Sequence, residues 1–425
     1  MKKKYSPLLL VFLIINITGC DFMDEIPYYR IDSVAVFSSS ELYERPTNQA
    51  YSFIRNGFSR IDGAFLEAAT DNGTTVVYGS KVNTIAQGSI SSSNVVDNCW
   101  ESSYKGIHQS LYAIEGYEKY PLKIKNQTEE EIKQVKAILT AELNALRALY
   151  ELDLLRYYGG YVIMDKTYDL YNNQMSEEMR NLKRSSFADC VEHIVDLCDK
   201  AAEVLALQPS GENGGYGRMT KGAAKAIKAK ALIYAASPLY NRPGNTDPLL
   251  GYTDGSDVTL KWQRAAEACK DVIFLKAGNA NRYSLHANYE KLFVIQPNNN
   301  KEYIVTCNSE KGNGLEKRQY PPSVSVLIEN NGGGTVPSQE FVDAFTNADG
   351  TDFVRTDESA AKQYEKRDPR LNLSVIYNGA DFANFGSIYT KRDETNRDGL
   401  NSVMRSSTTT GYYLRKFLDT AVDFN

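Results

Sequence analysis

Apolar side chains recur at spacings of three and four through most of the first 290 residues, and that period predicts helices. The clearest run is Ile132, Val135, Leu139, Leu143, Leu146 and Tyr150. Ahead of it, Thr128-Glu129-Glu130-Glu131 reads as a capping box: a hydroxyl and a carboxylate three residues apart satisfy the first free N–H groups. Gly159-Gly160 supplies the stop. Trp100 opens an earlier helix running to about Tyr117. Ser186, with Asp189 three later, opens another whose stripe is Phe187, Cys190, Val191, Ile194, Cys198, Ala201 and Leu205. Thr220 opens an alanine-dense helix that Pro238 stops, and its small side chains let a neighbour approach closely. A fifth helix carries Trp262, Ala265, Ala266, Cys269, Val272 and Ile273. Before all of these, Ser40 is the expected cap of a helix over 41–58, with Leu42, Ala50, Ile54 and Phe58 on one side.

Two stretches break the period. Residues 66–98 are Gly, Ser, Thr, Asn and Val without helical spacing, and a loop that long inside a domain is usually functional or disordered. Past residue 290, short alternating runs at 302–307 and 371–377 read as strands, separated by segments rich in Gly, Asn, Asp and Pro. The expected fold is therefore mostly α. A mainly helical half over 41–290 is built of helix pairs that resemble divergent tetratricopeptide units. A loop-rich half with short strands follows over 291–425.

The N-terminus has a different grammar. Lys2, Lys3 and Lys4 precede an apolar run over 8–17, too short to span a bilayer, which takes about 20 residues. Gly19-Cys20 closes it. This is a secretory signal peptide over 1–19 whose end resembles a bacterial lipobox, in which the cysteine sulfur is acylated and the chain is cut just before it. Residues 20–40 then form a lipidated tether; such lipoproteins carry several acyl chains, and stable anchoring takes more than one. Asp21, Asp24 and Glu25 resemble the export signal that sends lipoproteins of Bacteroides-type bacteria to the outer face of the outer membrane. No second apolar run approaches spanning length.

Composition narrows the function classes. At 42% hydrophobic and 24% charged, the 425 residues are those of a globular protein. The formal net charge is −5, and losing the three signal-peptide lysines makes the mature chain more acidic still. Nucleic acid is excluded as a partner, since phosphate neutralisation needs clustered Lys and Arg. Besides Cys20 there are Cys99, Cys190, Cys198, Cys269 and Cys307, an odd number without metal-ligand spacing. Cys190 and Cys198 are eight apart on one helix, about 12 Å of rise, too far to bridge. They read as buried small hydrophobes. Tyrosines number 29 against 16 phenylalanines, which suits either wet binding surfaces or helix packing with the hydroxyl at water.

Several segments in order are similar to the SusD-like (RagB/SusD) family of outer-membrane nutrient-binding lipoproteins. They are 100–117; 141–160, ending Leu155-Arg156-Tyr157-Tyr158-Gly159-Gly160; 217–241, with Thr220-Lys221-Gly222-Ala223-Ala224 and Ser237-Pro238-Leu239-Tyr240-Asn241; and 262–272. Phe341-Val342-Asp343-Ala344-Phe345 with Asp349-Gly350, Lys366-Arg367-Asp368-Pro369-Arg370 and Gly411-Tyr412-Tyr413-Leu414-Arg415-Lys416 follow. The resemblance implies non-catalytic capture of an oligosaccharide at the cell surface and its delivery to a SusC-like TonB-dependent transporter. It leaves a peptide-binding RagB-type role and a protein-interaction scaffold as alternatives. In the family a further helical segment follows the Tyr-Leu-Arg-Lys stretch, so the C-terminus reads as truncated, with exposed apolar surface expected near the C-terminal side of the helical half.

Catalysis and cofactors find little support. His108, His193 and His286 accompany no nucleophile elbow and no paired metal spacing. Asn347-Ala348-Asp349-Gly350-Thr351-Asp352 lacks the spacing and closing Glu of a calcium loop, and the Asn330-Asn331-Gly332-Gly333-Gly334 run has no phosphate-loop lysine. Glycan binding needs aromatic faces with amides, carboxylates and Arg beside them. The loop leading into Trp100 offers Asp71, Asn72, Tyr78, Asn98 and Trp100. By resemblance, a second set comes from Asn308, Arg318 and Tyr320. Trp100 reads equally as a core anchor opening its helix, and Tyr320, before Pro321-Pro322, equally as an exposed loop aromatic.

Overall fold

The fold is a row of helices, each packed on the next in sequence, with a loop-rich body beside it. We describe it from a computed structural model for residues 32–168, 175–208, 215–295, 300–307, 314–325, 332–356, 362–392, 396–400, 402 and 406–421. In chain order the helices used below are α1 (Ser33–Ser38), α2 (Arg45–Tyr51), α3 (Val82–Ala86), α4 (Trp100–Lys119), α5 (Glu129–Tyr158), α6 (Phe187–Val204), α7 (Lys221–Ala236), α8 (Val258–Ile273), α9 (Gly314–Gln319), α10 (Gln339–Asp343) and α11 (Pro369–Ser374). Helices α4 to α8 pack successively, α4 on α5, α5 on α6, α6 on α7 and α7 on α8. The largest core runs through them, with Ile107, Leu143, Leu146, Leu154, Phe187, Ile194 and Leu232 at or near zero exposure.

The start signals act as their chemistry dictates. Thr128 Oγ1 accepts the Glu131 N–H while the Glu131 carboxylate takes the Thr128 N–H. Ser186 and Thr220 cap α6 and α7 the same way, accepting from Asp189 and Ala223. Gly159 ends α5 at φ +74°, and a Cβ there would sit 2.2 Å from the Leu249 carbonyl. Helices α4 and α5 approach closely at Gly106, where a Cβ would lie 2.4 Å from the Tyr150 ring.

Four expectations are corrected. The helix expected over 41–58 is a turn followed by α2, because Pro46 sits in the first turn, where its missing N–H costs nothing. The expected tether over 20–40 is already docked from Ser33, since α1 buries Phe37 against Tyr112, Tyr117 and Tyr120. The run at 371–377 is mostly helix: Asp368 accepts from the Arg370 N–H and Pro369 takes the first position, leaving only Val375–Ile376 as strand. Residues 302–307 form no strand either; Asn300 Oδ1 accepts the Glu302 N–H and Tyr303 donates to the Leu292 carbonyl, which bends the chain.

Among the described residues, eight short strands pair antiparallel in twos. They are β1 (Gly73–Thr75) with β4 (Thr335–Pro337), β2 (Lys276–Ala277) with β3 (Ala280–Asn281), β5 (Val375–Ile376) with β8 (Tyr413–Leu414), and β6 (Ala380–Asp381) with β7 (Ser387–Ile388). The β1–β4 ladder, in register Gly73↔Pro337, ties the 52–98 segment to the loop-rich half. That segment has its own small core of Ile61, Ala64, Ala68 and Val82. Among the described residues the five cysteines are unbridged; Cys99, Cys190 and Cys198 are buried and Cys307 is exposed. No described helix is long and apolar enough to cross a membrane.

Candidate functional site

The segment entering α4 is held from both sides, and this makes it a candidate site. Asn98 Oδ1 accepts the Trp100 N–H at 2.8 Å and the Tyr158 hydroxyl at 2.9 Å. One residue earlier, Asp97 receives Arg60 through Nε at 2.9 Å and Nη2 at 2.6 Å, together with Arg55 Nη2 and the Tyr157 hydroxyl. Arg60 Nη2 also donates to the Tyr157 oxygen at 2.8 Å. Tyr157 and Tyr158 are the last two residues of α5, so the end of the longest helix fixes the entry to α4. Cys99, between Asn98 and Trp100, is fully buried.

This bracing presents Trp100. Its indole, 39% exposed, leans on Tyr104 at 5.0 Å and meets Tyr158 edge-on at 5.1 Å. An open concavity of ≈ 720 Å³ lies along this face of α4, lined by Phe53, Trp100, Glu101, Tyr104, Lys105 and His108 among others. Beyond Asn98 a polar pocket of ≈ 320 Å³ is lined by Arg55, Asn56, Arg60, Asp62, Lys81, Asp97 and Asn98. Asn98 lines the polar pocket and Trp100, two residues on, lines the open concavity.

Asp97 stays ionised. Partial burial pushes its carboxyl up, but the hydrogen bonds from Arg60 and Tyr157 and the charges of Arg55 and Arg60 outweigh that and hold it below the usual carboxylate range. Burial, and then the hydrogen bond to Asp97, push the Tyr157 phenol up. A carboxylate held by two guanidinium groups and a phenol is a poor proton donor, and its contacts order the segment that enters α4. Among the described residues no group of three or more His, Cys, Asp or Glu is placed to hold a metal ion.

The sequence-derived candidates fall in different places. Asn98 and Trp100 are central. Tyr78 is 90% exposed, on the turn before α3. Asp71 and Asn72 lie at the β1–β4 ladder instead, where their carbonyls accept from Ser338 Oγ and Ser338 N–H. Asn72 lines a separate cavity of ≈ 320 Å³ whose walls are largely apolar, including Phe58, Phe65, Phe341 and Phe417; such walls give hydroxyls few partners. Arg318, exposed on α9, lays its guanidinium against Gly63, next to Asp62 of the polar pocket. Tyr320 is fully buried: its ring meets Phe382 edge-on and its hydroxyl donates to the Asp419 carbonyl, so no ring face is left for a ligand. It is a core residue of the loop-rich half, neither a stacking face nor an exposed loop aromatic. Asn308 and Cys20 lie outside the described residues.

Arg55, Arg60, Asp97, Tyr104, Tyr157 and Tyr158 were not singled out as site residues from sequence. The Tyr157-Tyr158 pair carried a signal, as the aromatic close of a long helix. Tyr104 lies one turn after Trp100 on α4, a local spacing that could have found it, whereas Arg55, Arg60 and Asp97 are joined to one another and to Tyr157 across 37 to 97 positions, which no local spacing reveals.

Comparison with known proteins adds an independent line. Residues 301–424 match a family model described as the SusD family, and residues 21–233 match one described as starch-binding associating with outer membrane. A solved SusD-like protein from Bacteroides fragilis NCTC 9343 is 22% identical with a TM-score of 0.67, over 92% of this chain and 70% of that one. A SusD-like carbohydrate binding protein from the same organism is 21% identical with a TM-score of 0.67, over 91% and 69%. A laminarin binding SusD-like protein is 17% identical with a TM-score of 0.56, over 90% and 72%. At these identities the likeness is one of fold. A search of curated proteins gave no match.

Proposed function

The chain belongs to the SusD family, and from that premise we propose that it captures a polysaccharide or oligosaccharide at the outer face of the outer membrane. In this reading acylated Cys20 anchors it, and the captured glycan passes to a SusC-like TonB-dependent transporter. No bond is broken; binding and delivery are the mechanism. The observation that carries the reading is the Trp100 indole, braced by Tyr104 and Tyr158 and partly open to solvent, two residues after Asn98, which lines a pocket of amide, carboxylate and guanidinium groups. A sugar ring offers a C–H face to the indole and hydroxyls to the polar groups, and this site supplies both kinds of partner within one turn of chain. The description of the matched family model, starch-binding and associating with outer membrane, supports the same reading, as does a fold neighbour that binds laminarin.

The test is affinity electrophoresis of the soluble form starting after Cys20 in gels containing single polysaccharides. Retardation by at least one is expected. Trp100→Ala should weaken it about ten-fold, worth about 1.4 kcal/mol, while leaving the urea midpoint nearly unchanged because the indole is partly exposed. Full retardation of the Trp100→Ala protein would move the site elsewhere on the molecule.

A further inference from the structure

The polar pocket beside Trp100 carries a surplus of positive charge in a protein that is otherwise acidic. Arg55, Arg60 and Lys81 line it against two carboxylates, Asp62 and Asp97. Arg55 and Arg60 both reach the same carboxylate, Asp97, with side chains only 15% and 20% exposed. One carboxylate neutralises one guanidinium, so the cluster keeps a net positive charge in a place where water screens it poorly. Arg55 gives Nη2 to Asp97 and stacks over the Tyr157 ring at 5.3 Å. A guanidinium has five N–H donors; Asp97 and the Tyr157 phenol take part of those on Arg55, and this side chain borders the pocket. Lys81 gives its backbone N–H, not its ammonium, to Asp62. Arg318 adds a further guanidinium at the edge, against Gly63.

Resting on the glycan-capture reading above, we propose that this pocket selects an acidic saccharide, with a carboxylate or sulfate ester on the sugar seated against Arg55 and Lys81 while the ring beside it lies on Trp100. A planar or tetrahedral anion suits a guanidinium fork, which binds such oxygens in pairs. The pocket's ≈ 320 Å³ is at the lower end of the range for small-ligand sites, and so suits one charged unit of a chain rather than a long stretch of it. The net charge of −5 over the whole chain works against general attraction of polyanions, so tight binding of one has to come from a local site.

Matched probes separate charge from backbone. Polygalacturonate is compared with its fully methyl-esterified form, and dextran sulfate with dextran, by isothermal titration and affinity electrophoresis at 50 mM and 500 mM NaCl. The expected result is binding of at least one anionic member, no more than weak binding of its neutral partner, and marked weakening at high salt. The arm that binds tells carboxylate from sulfate. Arg55→Gln should lower the affinity ten-fold or more. Lys81→Glu changes an exposed side chain, so it tests the charge without risking the fold, and should lower the affinity at least five-fold. Equal or tighter binding of the neutral partners, or an affinity for the anionic probe that neither variant changes, overturns the acidic selection while glycan capture stands. Failure to bind any anionic or neutral polysaccharide overturns both.

Discussion

Asp97 shows how one side chain organises the site. It joins Arg55 and Arg60, from the segment after α2, to Tyr157 at the end of α5. Asp97→Asn keeps the shape but leaves two half-buried guanidinium groups without their counter-charge. The expected cost is about 1–3 kcal/mol, read from urea unfolding at pH 7. The sign with pH follows from the depressed carboxyl: its stabilisation is present above the unfolded carboxylate value of about 4 and is lost as pH falls through the lower folded value. The difference between Asp97→Asn and the parent should therefore shrink as the pH falls below about 4; a gap that does not narrow with acid would mean the charge is not what matters. At this scale the sequence was only partly legible. Asn98 and Trp100 stood out because they adjoin a helix start, whereas their arginine partners belong to a tertiary network with no local pattern. Tyr320 misled for the opposite reason: two prolines after it suggested an exposed loop, yet that segment is where the core of the loop-rich half closes over Phe382.

Elements were far more legible, because capping is local chemistry. Thr128, Ser186 and Thr220 each announced a helix that begins one residue later. Misreadings came where two local signals competed. In 371–377 the alternation of apolar residues suggested a strand, but Asp368-Pro369 ahead of it starts a helix, and capping won over alternation. What local signals do not report is how closely two helices approach. Gly106 illustrates this. In an isolated helix, Gly106→Ala would gain about 1 kcal/mol of helix propensity. Here the new Cβ would lie 2.4 Å from Cε2 of Tyr150. That ring cannot swing away freely, since it is 3% exposed and its hydroxyl donates to the Ala50 carbonyl at 2.5 Å. Overpacking of this kind costs about 1–3 kcal/mol, so the net effect of Gly106→Ala should be destabilising, seen as a lower urea midpoint with an unchanged m-value. A protein made more stable by this change would show that α4 and α5 can separate at little cost.

For the whole molecule, the row of helices has unequal ends. Helix α4 is covered by α1 and α2, and Phe37 fills the space that Gly116 leaves open. At the other end, α8 packs on α7 and buries Ala265 and Ala268, while its Lys261 ammonium reaches Asn241, Tyr252 and Asp254. The apolar stripe read from sequence on that helix is therefore only partly used: Trp262 and Ile273 are 44% and 56% exposed, and Phe274 just beyond is 59% exposed. Periodicity found the stripe without telling which part of it has a neighbour. Contiguous exposed apolar surface favours association. Trp262→Glu combined with Ile273→Glu should leave stability within about 0.5 kcal/mol of the parent, since neither side chain is deeply packed. Added acidic charge on such a surface raises solubility, so the weight-average mass in sedimentation velocity should rise with concentration for the parent and stay at the monomer value for the variant. If the parent stays monomeric over the same concentrations, this face is not adhesive. If instead the variant unfolds, α8 depends on these two side chains more than their exposure implies.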